Sequence, residues 1–144
     1  MLDSLPSSLS LSPRGLPELT EIESLIAEGG KHLSSRVLCE VTLKNHRFPV
    51  HAIALGNPSP KVPAIGFFGG VHGLERIGAE VVIAYLRTLV KRLSWDRLLH
   101  QQLKSVRLVF MPLVNPGGLL LGTRANPRGV DLMRNAPVDA VEPV

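Results

Sequence analysis

Two groups of residues in this sequence of 144 have the types and spacing to do chemistry. The first is His72 with Glu75, in the segment GGVHGLE. An imidazole nitrogen and a carboxylate oxygen three positions apart across a helix start can converge on one point, and both suit zinc. Gly69, Gly70 and Gly73 allow tight backbone turns and leave room around a metal. The spacing alone decides little. Glu75 would also sit well in a first helical turn with no metal present, favoured by the helix dipole. The second group lies in NPGGLLLGTRANPRGVDLMRN, residues 115–135, where Arg124, Arg128 and Arg134 flank Asp131. Arginine grips carboxylates through paired hydrogen bonds and stabilises a developing oxyanion. A solvated loop with surface arginines is the plainer alternative.

Something must hold these groups in place. Ala64 to Phe68 is a short apolar run that predicts a strand, so His72 and Glu75 fall just past its C-terminal end. From Glu75 to about Leu93 the pattern is helical. Arg76, Glu80, Arg87 and Lys91 share one solvent face, and most of the rest is apolar. Ser94 is placed to cap a further short helix, WDRLLHQQL. Val106 to Val114 is again an apolar run, broken only by Arg107, as expected of a strand buried on both faces. Strand, helix and strand in this order make a βαβ unit, so the class is α/β. Both candidate groups then lie at the strand ends where open α/β sheets bind ligands.

Upstream, PELTEIESLIA carries Leu19, Ile22, Leu25 and Ile26 at helical spacing, and Gly29-Gly30 ends it. Alternating runs from Arg36 to Leu43 and Arg47 to Leu55, with Lys44, Asn45 and His46 between, predict a β-hairpin. Pro49 lacks a ladder donor and favours an edge position for the second strand. Cys39 alternates with Val37 and Val41 and is expected to be buried. Residues 1–16 read as a flexible leader, and residues 115–144 as loop-like.

Composition narrows the function classes. Apolar residues make up 44% of the chain, enough for a packed core. The net charge of +4 is scattered, without the basic run or aromatic interleaving that nucleic-acid binding needs. The first sixteen residues lack the basic and apolar blocks of a signal peptide, and no uninterrupted apolar stretch is long enough for a membrane span. The single cysteine excludes an internal disulfide and is compatible with a cytoplasmic location, which is the expectation here.

The order G-x-H-x-x-E, apolar helix, strand, N-P-x-G, G-T-R and G-V-D-L-x-R-N resembles the zinc carboxypeptidase family. It is closest in style to the bacterial branch of murein-peptide amidases. The resemblance covers about Ala64 to Pro137. It implies a three-layer α/β/α domain with a mixed, mainly parallel sheet begun by a hairpin, of which residues 17–144 are the N-terminal part. It also implies one zinc ion with His72 and Glu75 as its first two ligands. Arg124 matches the arginine that polarises the scissile carbonyl, and Arg134 the one that grips the substrate's terminal carboxylate. The implied substrate is a peptide or acyl-amino acid with a free carboxylate.

Three departures qualify this. Met133 stands where the family usually has an asparagine that helps hold the substrate carboxylate, and a thioether cannot donate those hydrogen bonds. NPGG replaces the common NPDG. No His follows His100, and the only later Glu is Glu142, so the family's third zinc ligand and catalytic Glu have no match in this sequence. The expectation is an incomplete hydrolase site. The alternatives are a deacylase of the aspartoacylase and succinylglutamate desuccinylase kind, whose H-G-x-E and D-L-x-R pattern is similar, or a non-catalytic remnant of the fold.

Overall fold

The computed structural model describes residues 15–135. Helix α1 (Pro17–Gly29) opens on a proline whose missing N–H costs nothing at a first helical position, and Gly30 caps it with a positive φ. Of the expected leader, Leu16 falls inside the structure and is buried as the N-cap of α1; residues 1–14 lie outside the described residues. A 3-10 turn (Gly30–His32) leads into β1 (Leu33–Leu43) and β2 (His46–Gly56). The hairpin turn is two residues long, so His46 belongs to β2 and not to the turn. Lys44 and Asn45 both take positive φ, at 47° and 64°, the twist that matches right-handed strands.

The chain continues through β3 (Ala64–Phe68), α2 (Arg76–Arg92), α3 (Arg97–Gln102), β4 (Arg107–Met111) and α4 (Pro116–Leu121). The strands form one mixed sheet in the order β1-β2-β4-β3. β2 pairs antiparallel with β1 and β4, while β3 and β4 are parallel and joined through α2 and α3. The expected α/β class, its hairpin start and its βαβ unit are therefore present. Pro49 does not mark an edge, because β2 lies inside the sheet and β1 forms the border. The proline is tolerated because β4 pairs only with Ile53 to Gly56 of β2. Counting back from the turn also puts Glu40–Pro49 at a step where no ladder bond is exchanged.

One buried cluster joins Leu19 and Ile22 of α1, Ile83 and Leu86 of α2, Leu99 of α3 and Leu119 of α4 to Ile53 and Leu55 of β2 and Leu108 and Phe110 of β4. Each such side chain contributes about 1.5–3 kcal/mol on burial. Phe110 stacks on Phe67, with ring centroids 4.9 Å apart. All four helices feed this one cluster, so β4 is not buried on both faces as its apolar run suggested. Leu108 and Phe110 are covered; Arg107, Val109 and Met111 are only half-buried. Ala52, Ala54 and Val109 line an open cavity of about 490 Å³ on the other face.

Two further expectations fail for related reasons. Cys39 is exposed, because β1 is a border strand with a bulge at Leu38 and nothing packs over Ser34 to Glu40 among the described residues. The charged face of α2 is not simply solvated, since Arg76 and Arg87 turn to α1 and pair with Glu18 and Glu21. The cap of α3 is Asp96, whose carboxylate accepts from the Leu99 N–H at 3.0 Å; Ser94 bonds back to the Lys91 carbonyl instead.

Candidate functional site

β3 ends at Phe68, and the chain crosses the C-terminal edge of the sheet through Gly69 to Leu74. The turn into α2 closes when the Glu75 N–H donates to the His72 carbonyl at 3.0 Å. That turn sets His72 Nδ1 3.2 Å from Glu75 Oε1. The neighbouring edge belongs to β4, and the segment after it is stitched to the first. Val114 and Asn115 N–H groups donate to the carbonyls of Gly69 and Gly70, both at 2.9 Å.

Asn115 is the clasp. It is 2% exposed. Its Oδ1 accepts from the Gly118 N–H at 2.8 Å, capping α4, and its Nδ2 donates to the Val71 carbonyl at 3.2 Å. Helix α4 was expected to be loop. Its signals were an Asn N-cap, Pro at the first position and Gly122 in the left-handed conformation at the end, all within eight residues. Gly73 packs directly on this helix, where a Cβ would stand 2.0 Å from the Gly118 carbonyl carbon. The two motifs thus touch backbone to backbone. Gly117 occupies the place of the family's usual Asp, and a Cβ there would meet Pro127 Cγ at 2.3 Å.

Beyond α4 the loop is organised by Asn126, whose Oδ1 accepts from the Arg128 and Val130 N–H groups at 2.9 and 3.0 Å. This fold-back brings Arg124 across from Asp131. Arg124 Nε donates to Asp131 Oδ2 at 2.7 Å, and Arg134 Nε lies 3.7 Å from the same oxygen. The other oxygen of Asp131 is 3.3 Å from His72 Nε2 and accepts from the Met133 N–H at 3.0 Å. The Arg124 hydrogen bond, with help from Met133 N–H and His72, holds the Asp131 carboxyl down at about 2. Asp131 is therefore an anion at any ordinary pH.

The structure brings His72, Glu75, Arg124 and Arg134 to one edge, with Asp131 as the hub that joins them. Asp131 had no role assigned from the sequence; its signals were its place in G-V-D-L-x-R-N and the three arginines around it in a loop with no other acid. Arg128 is exposed and takes no part in the Asp131 contacts. Met133 is exposed, and its side chain supplies no donor.

The donor set can be tested against zinc. Two ligands about 2.05 Å from zinc at the tetrahedral angle lie about 3.3 Å apart. The Nδ1–Oε1 separation of 3.2 Å matches that edge. A carboxylate on the far nitrogen of a ligating histidine is also the usual orienting partner, and Asp131 stands there. Among the described residues, however, no three His, Cys, Asp or Glu side chains converge to hold a metal. The residues present fit one side of a zinc site.

The mixed sheet, with both motifs held together at one edge of its parallel pair, defines an α/β domain, and comparison with known proteins identifies its family. The sequence profile of the zinc carboxypeptidase family matches residues 38–140, and the chain belongs to that family. It is 30% identical over 93 residues to carboxypeptidase SOL1 of Arabidopsis thaliana, a match covering 62% of this chain and 19% of that protein. The metallo-carboxypeptidase structure from Burkholderia cenocepacia superposes with a TM-score of 0.65 at 19% identity, over 80% of this chain and 30% of that one. A succinylglutamate desuccinylase/aspartoacylase from Rhodobacter sphaeroides follows the same fold at a TM-score of 0.54 and 23% identity, over 74% of this chain and 31% of that one. The chain thus spans about a fifth or less of the curated relatives it matches. Among the described residues, no helix is long and apolar enough to cross a membrane.

Proposed function

We propose that this chain carries the entry half of a zinc-dependent amide hydrolase site. The observation that carries the reading is the 3.2 Å approach of His72 Nδ1 to Glu75 Oε1, with Asp131 on the opposite ring nitrogen. His72 and Glu75 would hold the ion. When bound there, zinc supplies Lewis-acid polarisation of a carbonyl and activation of water.

The chain's own residues do the rest. Asp131 donates no proton at neutral pH; it fixes the His72 ring and anchors Arg124 through Nε. The two Nη groups of Arg124 are then left for a substrate carbonyl oxygen, whose developing negative charge they stabilise. Arg134, mostly exposed at the mouth, receives the carboxylate of a peptide C-terminus. Met133 removes one donor from that grip, so Arg134 carries more of the recognition. A carboxylate-bearing peptide is the substrate class this arrangement suits. A cytoplasmic location belongs to the same proposal.

Zinc titration followed by NMR tests the reading in the chain as it exists. Sub-stoichiometric Zn2+ should shift the His72 ring resonances before those of His32, His46, His51 or His100. Glu75→Ala should weaken that response about tenfold or more, as loss of one of two ligands requires. A first response at another histidine, or no effect of Glu75→Ala, would overturn the assignment.

A further inference from the structure

β3 and β4 begin at the end of the sheet far from His72, where Arg107 pairs with Ala64 on one side and Gly56 on the other. Five residues of β4, at about 3.3 Å each, separate this end from the candidate metal edge by about 15 Å. Two adjoining cavities open there. One, of about 430 Å³, is lined by Lys31, His32, His100 and Lys104 together with Gly56 and Asn57. The other, of about 300 Å³, shares Lys31 and His32 and adds Ser34 and Arg107. No Asp or Glu lines either cavity.

The basic side chains come from three separate elements. Lys31 and His32 sit in the 3-10 turn, His100 and Lys104 at the end of α3, and Arg107 at the head of β4. His32 and His100 lie with ring centroids 5.1 Å apart. His100 is fixed by its Nε2, 2.7 Å from the Leu93 carbonyl. Elsewhere on this chain arginines find carboxylates, as Arg76, Arg87, Arg92 and Arg124 do. Among the described residues the Arg107 guanidinium instead reaches the Pro58 carbonyl, through Nη1 at 3.3 Å, and no carboxylate, and its Nε is buried without a partner there. The Nε is closed off from the cavities, so the half-exposed guanidinium would meet an anion through its Nη groups, with its charge unpaired by any carboxylate among the described residues.

We propose that these cavities form an anion site for a small phosphate-bearing ligand, separate from the hydrolase edge. Lys31 and His32, common to both cavities, are its central contacts; Arg107 serves one side of them and His100 and Lys104 the other. Three full positive charges with no acid among them suit a dianion better than a single carboxylate, which one arginine can satisfy. The cavity sizes fit a compact ligand. Discrete pockets, with no aromatic side chain but histidine on their walls, do not suit a nucleic-acid strand.

The test is an amide NMR titration of the 144-residue chain with inorganic phosphate and, separately, with glycerol 3-phosphate, using sodium chloride at matched ionic strength as the control. Saturable shifts at Lys31, His32, Gly56 and Arg107, with a Kd of about 1 mM or tighter, are expected. Tighter binding of the ester than of inorganic phosphate would mark a phosphomonoester site; equal binding would mark a phosphate site, and either supports the proposal. Arg107→Gln should weaken binding about tenfold. Because Arg107 is half-buried, Lys104→Glu at an exposed position is the second variant, and it should weaken binding with an unchanged melting curve. Shifts matched by chloride, saturation centred on Arg124 and Arg134, or affinity untouched by Lys104→Glu would each refute the site.

Discussion

Asn115→Ala probes the clasp between the two motifs. Asn115 is buried and uses both ends of its amide: Oδ1 caps α4 through the Gly118 N–H, and Nδ2 holds the Val71 carbonyl next to His72. Loss of the cap costs about 1 kcal/mol. Leaving the partly buried Val71 carbonyl without its donor costs about 1–2 kcal/mol more. The expected loss is therefore about 2–3 kcal/mol, or about 10 °C in Tm for a domain of this size. Urea denaturation followed by circular dichroism measures it. Asn115→Ser separates the two ends, because the hydroxyl keeps a cap acceptor without adding charge but is too short to donate to Val71. It should recover about half of the loss and leave the Gly118 amide resonance near its wild-type position, while the His72 ring signals still move. If Asn115→Ala cost no more than an ordinary surface substitution, about 0.5 kcal/mol, the clasp would not be holding the site together.

Four other outcomes follow from the same structure. Gly73→Ala should destabilise by about 3 kcal/mol or more, or prevent folding, because the new Cβ meets the α4 backbone; a soluble variant with wild-type stability would contradict the close approach. Asp131 should titrate at about 2 by carboxyl NMR, below its ordinary 3.8. Its folded pKa is depressed, so its contribution to stability is full above about pH 4 and disappears as pH falls through 2. Asp131→Asn should flatten acid destabilisation in that window, and an unchanged acid profile would remove the argument. Glu18→Gln weakens a pair in which the acid is buried but Arg76 is nearly half-exposed, so a loss of about 1–2 kcal/mol is expected in thermal melts, and no loss would show the contact to be idle. Because no third His, Cys, Asp or Glu joins His72 and Glu75 among the described residues, the 144-residue polypeptide is expected to hydrolyse neither peptides nor acyl-amino acids; turnover abolished by His72→Ala would disprove this.

Local chemistry carried much of this protein in readable form. Helical spacing located α1 and α2, alternation located the hairpin, and the apolar runs at Ala64 and Val106 located the parallel pair. These signals are legible because burial of one face imposes a period on the chain itself. That His72, Glu75, Arg124 and Arg134 share one edge of the sheet was also legible, since each motif follows a strand of one βαβ unit. What was not legible depended on partners distant in sequence. Cys39 alternates like a core residue, yet it is exposed because nothing packs over the middle of β1 among the described residues. Val109 belongs to an apolar run, yet only Leu108 and Phe110 meet the helices. Asp131 became the hub of the site only when the loop from Gly122 to Asn135 folded back over His72, 59 positions away. Periodicity reports which face of an element is apolar; only the packed chain decides what covers that face and which charges it brings together.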